Sequence, residues 1–162
     1  MAGRRPPGHT MKTTDAALDR RGEEAEARAT LDALDESALV VAMVVVPALY
    51  SRNKMFNLFS DPRLRRARKR AIALRTAIRQ LASGAAENVR LEPSGPLTRL
   101  TYDLPRLHFT RTLELTPQER ACVVFSVDRE RPGILSCSPE ERAQVERTLS
   151  RLTPASALAS RG

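Results

Sequence analysis

The spacing of apolar residues changes near residue 84, and that change restricts the chain to a mixed fold. Upstream, Leu64, Ala67, Ala71, Leu74, Ile78 and Leu81 follow one another at intervals of 3, 4, 3, 4 and 3 residues, which draws one continuous stripe along an α-helix. From Asn88 onward the period is two. Leu100, Tyr102 and Leu104 alternate with Arg99, Thr101 and Asp103. After Pro105, the apolar Leu107, Phe109, Leu113 and Leu115 alternate with His108, Thr110, Thr112 and Glu114. Two half-buried strands follow from this pattern, expected to be antiparallel, with Val89 and Leu91 in a third. Pro93, Gly95 and Pro96 mark the loop between them. Helices and strands segregated along the chain predict an α+β fold: an N-terminal helical hairpin packed with a small, mainly antiparallel sheet and two C-terminal helices.

The two arms of the hairpin have different signals. Asp61-Pro62 opens the striped helix with an N-cap aspartate and a proline at the first helical position, and Gly84 stops it. The preceding arm contains VVAMVVV, which periodicity leaves open between a buried strand and a helix. A helix entered at Asp35 and kinked at Pro47 is favoured, because Val45, Leu49, Phe56 and Phe59 keep a heptad-like spacing beyond the proline. Glu23 to Leu34 reads as a short helix before it. At the other end, TPQERACV at 116–123 and SPEERAQV at 138–145 each carry Thr or Ser at the N-cap, Pro at N1 and Glu at N3, which is a capping box. The likeness between them is shared helix-start grammar more than a duplicated β-α unit. A strand at Ile134–Cys137 would make this part β-α-β-α. The expected organisation is a basic disordered tail over 1–22, one α+β domain over 23–152 (helical at 23–83, then strand-rich and β-α-β-α at 88–152) and a flexible tail over 153–162.

Composition narrows the function. Neither an apolar signal segment nor a membrane span is readable: Arg4 and Arg5 lead into polar sequence, with Met11 an alternative start, and the longest apolar run, Ala38–Tyr50, contains Pro47 and is too short to cross a bilayer. Cys122 and Cys137 have no metal-ligand or CxxC spacing, so a reducing, cytoplasmic setting without cofactor or metal is expected. His9 lies in the tail, His108 on the polar side of a strand, and Cys122 in an apolar helix. Glu119, Glu140 and Glu141 serve helix starts. No constellation for catalysis emerges, and a non-enzymatic binding role is expected.

Charge points to a class of ligand. The net +8 is concentrated at residues 52–82, which carry +9, whereas 23–51 carry −5. In DPRLRRARKR six of ten residues are basic. A helical wheel sets Arg63, Arg65, Arg66, Lys69 and Arg70 away from the apolar stripe, with Arg52 and Lys54 as extensions. Arg68, Arg75 and Arg79 flank the stripe and can snorkel. Guanidinium forks suit phosphate, so this face is expected to associate with the backbone of DNA or RNA without reading sequence. A solvated face, partly neutralised by the acidic residues between Glu23 and Glu36, accounts for the same pattern. The alternative function is a protein partner or self-association through the hairpin, with Tyr50, Arg52, Met55 and Phe56 of the types enriched at interfaces.

Overall fold

The computed structural model describes residues 22, 29, 32–46 and 62–152. The expected helix at Glu23–Leu34, the Asp61 cap, the segment beyond Pro47 and both tails lie wholly or largely outside the described residues. The element order is α1 (Glu36–Val45), α2 (Pro62–Ala82), β1 (Glu87–Ser94), β2 (Leu97–Leu104), a 3-10 turn (Pro105–Leu107), β3 (Phe109–Leu115), α3 (Pro117–Glu130) and α4 (Pro139–Ser150). These four helices and a three-stranded antiparallel sheet of order β1-β2-β3 form an α+β fold.

The run that periodicity leaves ambiguous is helical. Asp35 caps α1 by accepting a hydrogen bond from the Ala38 amide at 2.7 Å, and every residue from Ala38 to Val45 is buried. A helix enclosed on all sides needs no amphipathic period. Here α1 packs against α2, α3 and α4, and burial outweighs the modest helix penalty of its valines. The helix ends at Val45, where Val46 takes φ −112 and ψ 86, and the expected kink at Pro47 lies outside the described residues. A proline after Val46 disfavours helical backbone at the preceding position.

In α2 the expected stripe is buried, together with Ala77. Its last turn is closed by the Ser83 amide donating to the Arg79 carbonyl, and Gly84 follows at φ +83, a left-handed stop that favours glycine. A Cβ at Gly84 would also collide with the Arg131 guanidinium.

The sheet is a meander. Ser94 pairs with Leu97 across Gly95-Pro96, where Gly95 has φ +62 and the proline ring fixes a negative φ, the signs of a type II′ hairpin turn. Pro93 lies within β1 opposite Thr98 instead of in the loop, tolerated because β1 is an edge strand. Leu100, Tyr102, Leu104 and Leu115 are buried on the helix-facing side, and the Tyr102 hydroxyl donates to Gln80 Oε1 at 2.6 Å.

Period two overreaches at the β2–β3 connection. Leu107 belongs to the 3-10 turn and is 68% exposed, and Phe109 at the start of β3 is 55% exposed. His108, expected on a strand, caps that turn in left-handed conformation at φ 49. Pro105 explains both departures, since it starts a turn where continued alternation required an extended chain.

Both capping boxes form. The Thr116 hydroxyl accepts from the Glu119 amide while Glu119 accepts from the Thr116 amide, and Ser138 and Glu141 repeat the exchange. Ile134–Cys137 is not a strand, so the β-α-β-α arrangement does not occur. Gly133 at φ +98 turns the chain, and the eight residues between α3 and α4 fold α4 back onto α3 instead of returning to an edge of the sheet. Leu135 anchors this connection in the core.

Candidate polyanion interface

Helix α2 positions the basic residues, and its 3.6-residue period sorts them into three groups. Arg63 and Arg70 stand at i−4 and i+3 from Ala67, on the line that continues to Leu74, Ala77 and Leu81. They therefore point toward the core side and not away from it, as the wheel had placed them. Arg63 donates to Asp32 and to the Leu34 carbonyl, both at 3.3 Å. Arg70 forks onto Glu119 at 2.6 and 3.1 Å and also donates to the Glu114 carbonyl. Arg66 is more exposed but grips Glu36 through two hydrogen bonds at 2.9 and 3.3 Å. These three arginines join α2 to the start of α1, the end of β3 and the start of α3.

The second group faces solvent. Arg65 and Lys69 are exposed, and neither forms an ion pair among the described residues. The third group, Arg68, Arg75 and Arg79, runs down the adjoining flank at intervals of 7 and 4 residues. From Arg65 to Arg79 the helix rises about 21 Å. Tertiary structure adds Arg129 of α3, which lines a cleft with Arg75, Arg79, Val44, Ile78, Ser126 and Glu130. Arg129 lies 50 residues beyond Arg79, and no sequence signal links the two. Arg75 and Arg79 were legible as cations but only as flanking ones. Arg52 and Lys54 lie outside the described residues, as do Tyr50, Met55 and Phe56.

Elsewhere several charges are paired. On the outer face of the sheet Arg99 pairs with Glu114 at 2.8 Å, and this hydrogen bond holds the Glu114 carboxyl below its ordinary range and the Arg99 guanidinium above its own. Asp103 is lowered likewise, first by Asn88 and then by Thr110, which donate to it at 2.9 and 2.7 Å. Arg120 pairs with Glu141 and Arg142 with Asp128. Among the described residues, Arg65, Lys69 and Arg79 on the outer side of α2 stand without an ion pair.

The nucleophile candidates are poorly placed for chemistry. Burial pushes the Cys122 thiol up to about 12, which leaves essentially no thiolate near neutrality, and Cys137 is also raised by burial. His108 is exposed on a turn. Among the described residues no group of three or more His, Cys, Asp or Glu is disposed to hold a metal, and no helix is long and apolar enough to cross a membrane. Comparison with protein-family models, curated proteins and solved structures yields no significant match.

Proposed function

We propose that this is a non-enzymatic binding protein that associates with the phosphate backbone of DNA or RNA through the outer side of α2, without sequence preference. The observation that carries this reading is the alignment of Arg65, Arg68, Lys69, Arg75 and Arg79 along one side of a single rigid helix, extended by Arg129. Cations spaced over about 21 Å follow a charged backbone. No aromatic side chain interleaves with them, so contacts would position the nucleic acid and not read its bases. Arg63, Arg66 and Arg70, occupied by carboxylates, are structural in this reading.

Titration of labelled duplex DNA and RNA at several salt concentrations tests it. Neutralising about four phosphates gives log affinity a slope near −3.6 against log salt on B-DNA. The double variant Arg65→Glu/Lys69→Glu should lose binding with its helical circular dichroism intact. Reversal of Arg90, on the outer face of the sheet, should leave binding unchanged. Equal affinity of the wild type and the double variant would sink the proposal.

A second reading, association with a protein partner or with another copy of the chain, draws on a different observation: Leu107 and Phe109 are neighbouring exposed apolar side chains at the β2–β3 connection. Sedimentation velocity of the wild type and of Phe109→Glu distinguishes it, since an assembly built on this connection dissociates in the variant.

A further inference from the structure

We propose that the cleft between α2 and α3 beside Val44 is a discrete site for one phosphate monoester group, held by Arg75, Arg79, Arg129 and the Ser126 hydroxyl. The site shares Arg75, Arg79 and Arg129 with the helix-long interface, but its assignment does not rest on that reading. Four observations support it: the charge, the donors, the size and the shape of the cleft.

Three arginines and one glutamate, Glu130, line the cleft. Their net charge of +2 matches a phosphate monoester above its second pKa of about 6. Among the described residues Arg79 forms no ion pair or side-chain hydrogen bond. Arg129 lies over the Phe125 ring at 5.4 Å, a contact that restrains the guanidinium without using its N–H donors. Ser126 is 3% exposed, and the group beside its Oγ is the Cys122 thiol, a weak hydrogen-bond partner. A sulfur satisfies a buried hydroxyl poorly, and an anion seated in the cleft would give it a stronger acceptor beside the guanidinium forks.

Size selects the ligand. The cleft holds about 160 Å³, room for roughly five waters at about 30 Å³ each and well below the roughly 300 Å³ at which pockets begin to enclose a drug-sized molecule. One phosphate group with residual water fits, whereas a nucleoside stays outside. A backbone diester, singly charged and substituted on two sides, suits the open helix face better than this half-enclosed cleft.

The test is a titration of the full chain, labelled with 15N-arginine, with inorganic phosphate at pH 7.5, following the Nε–Hε resonances. The expected result is a saturable shift at Arg79 and Arg129 with none at Arg90. Affinity should weaken on the order of tenfold in Arg129→Gln, as loss of a charged hydrogen bond implies, and several-fold in Ser126→Ala. It should fall between pH 7.5 and 5.5 as the dianion becomes a monoanion.

The absence of a saturable shift overturns the proposal, as does undiminished affinity in both variants. The Arg65→Glu/Lys69→Glu chain separates this claim from the preceding one. It should lose duplex binding yet keep its phosphate response within a few-fold, and loss of that response would reduce phosphate to a counterion of the general field and overturn the site. Oligonucleotides with 5′-phosphate or 5′-hydroxyl ends then identify the source. Tighter binding of the phosphorylated end supports the site as a nucleic-acid terminus receptor. Equal binding of the two, with the inorganic response present, supports it as a receptor for small phosphates.

Discussion

Replacing Arg70 by methionine keeps the aliphatic stem against the core and removes a guanidinium that bridges three elements. Lost with it are the two hydrogen bonds to Glu119 and the one to the Glu114 carbonyl. The Glu119 side chain, 7% exposed, would be left with only the Thr116 amide as partner. Removing one member of a fully buried ion pair costs about 3–5 kcal/mol. Arg70 is 32% exposed, so water offsets part of this, and a loss of about 2–3 kcal/mol is expected. In urea denaturation, with a slope of about 1–3 kcal/mol/M for a small domain, the midpoint should fall by about 1–2 M. Arg65→Met and Lys69→Met on the solvent side should stay within about 0.5 kcal/mol of the parent. Adding Glu119→Gln to Arg70→Met should restore part of the loss, because glutamine keeps the capping geometry without the stranded charge. A loss below about 0.5 kcal/mol in Arg70→Met, or an equal loss in Arg65→Met, would refute the division of α2 into structural and available cations.

Gly84→Ala should destabilise the fold by about 1–2 kcal/mol in the same assay, because alanine resists the positive φ; an unchanged midpoint contradicts this account of the end of α2. Cys122 should resist alkylation in the native state at pH 8 and react only as fast as the domain unfolds, since its thiol is buried and raised to about 12; stoichiometric labelling within seconds contradicts it. Asp103 and Glu114 have depressed folded-state pKa values, so their stabilisation is fully present above the unfolded carboxylate values of about 3.9–4.3 and disappears as pH falls through the lower folded values. Asp103→Asn should therefore flatten the acid limb of a stability–pH profile below about pH 4, and a limb of unchanged slope contradicts the pairing.

Elements whose causes are local were legible in the sequence. The 3-4 stripe of α2, the period-two strands, Gly84 as a stop and the two capping boxes each depend on residues within a few positions of one another, so the α+β class and most element boundaries could be read directly. That Ala38–Val45 is a helix follows from packing, because enclosure by three other helices, and not any period, outweighs the preference of its valines. Packing also explains why Ile134–Cys137 is no strand, since α4 packs on α3 and no sheet edge is reached.

The candidate interface divides in the same way. The concentration of cations at residues 52–82 was plain in the sequence. Which of them are available was not, because Asp32, Glu36 and Glu119, the carboxylates that occupy Arg63, Arg66 and Arg70, lie 30 to 49 residues away along the chain. The meeting of Arg129 and Ser126 with Arg75 and Arg79 likewise exists only once α3 has docked on α2. Local propensity is written in neighbouring residues, whereas charge pairing and clefts depend on which distant surfaces the core brings together.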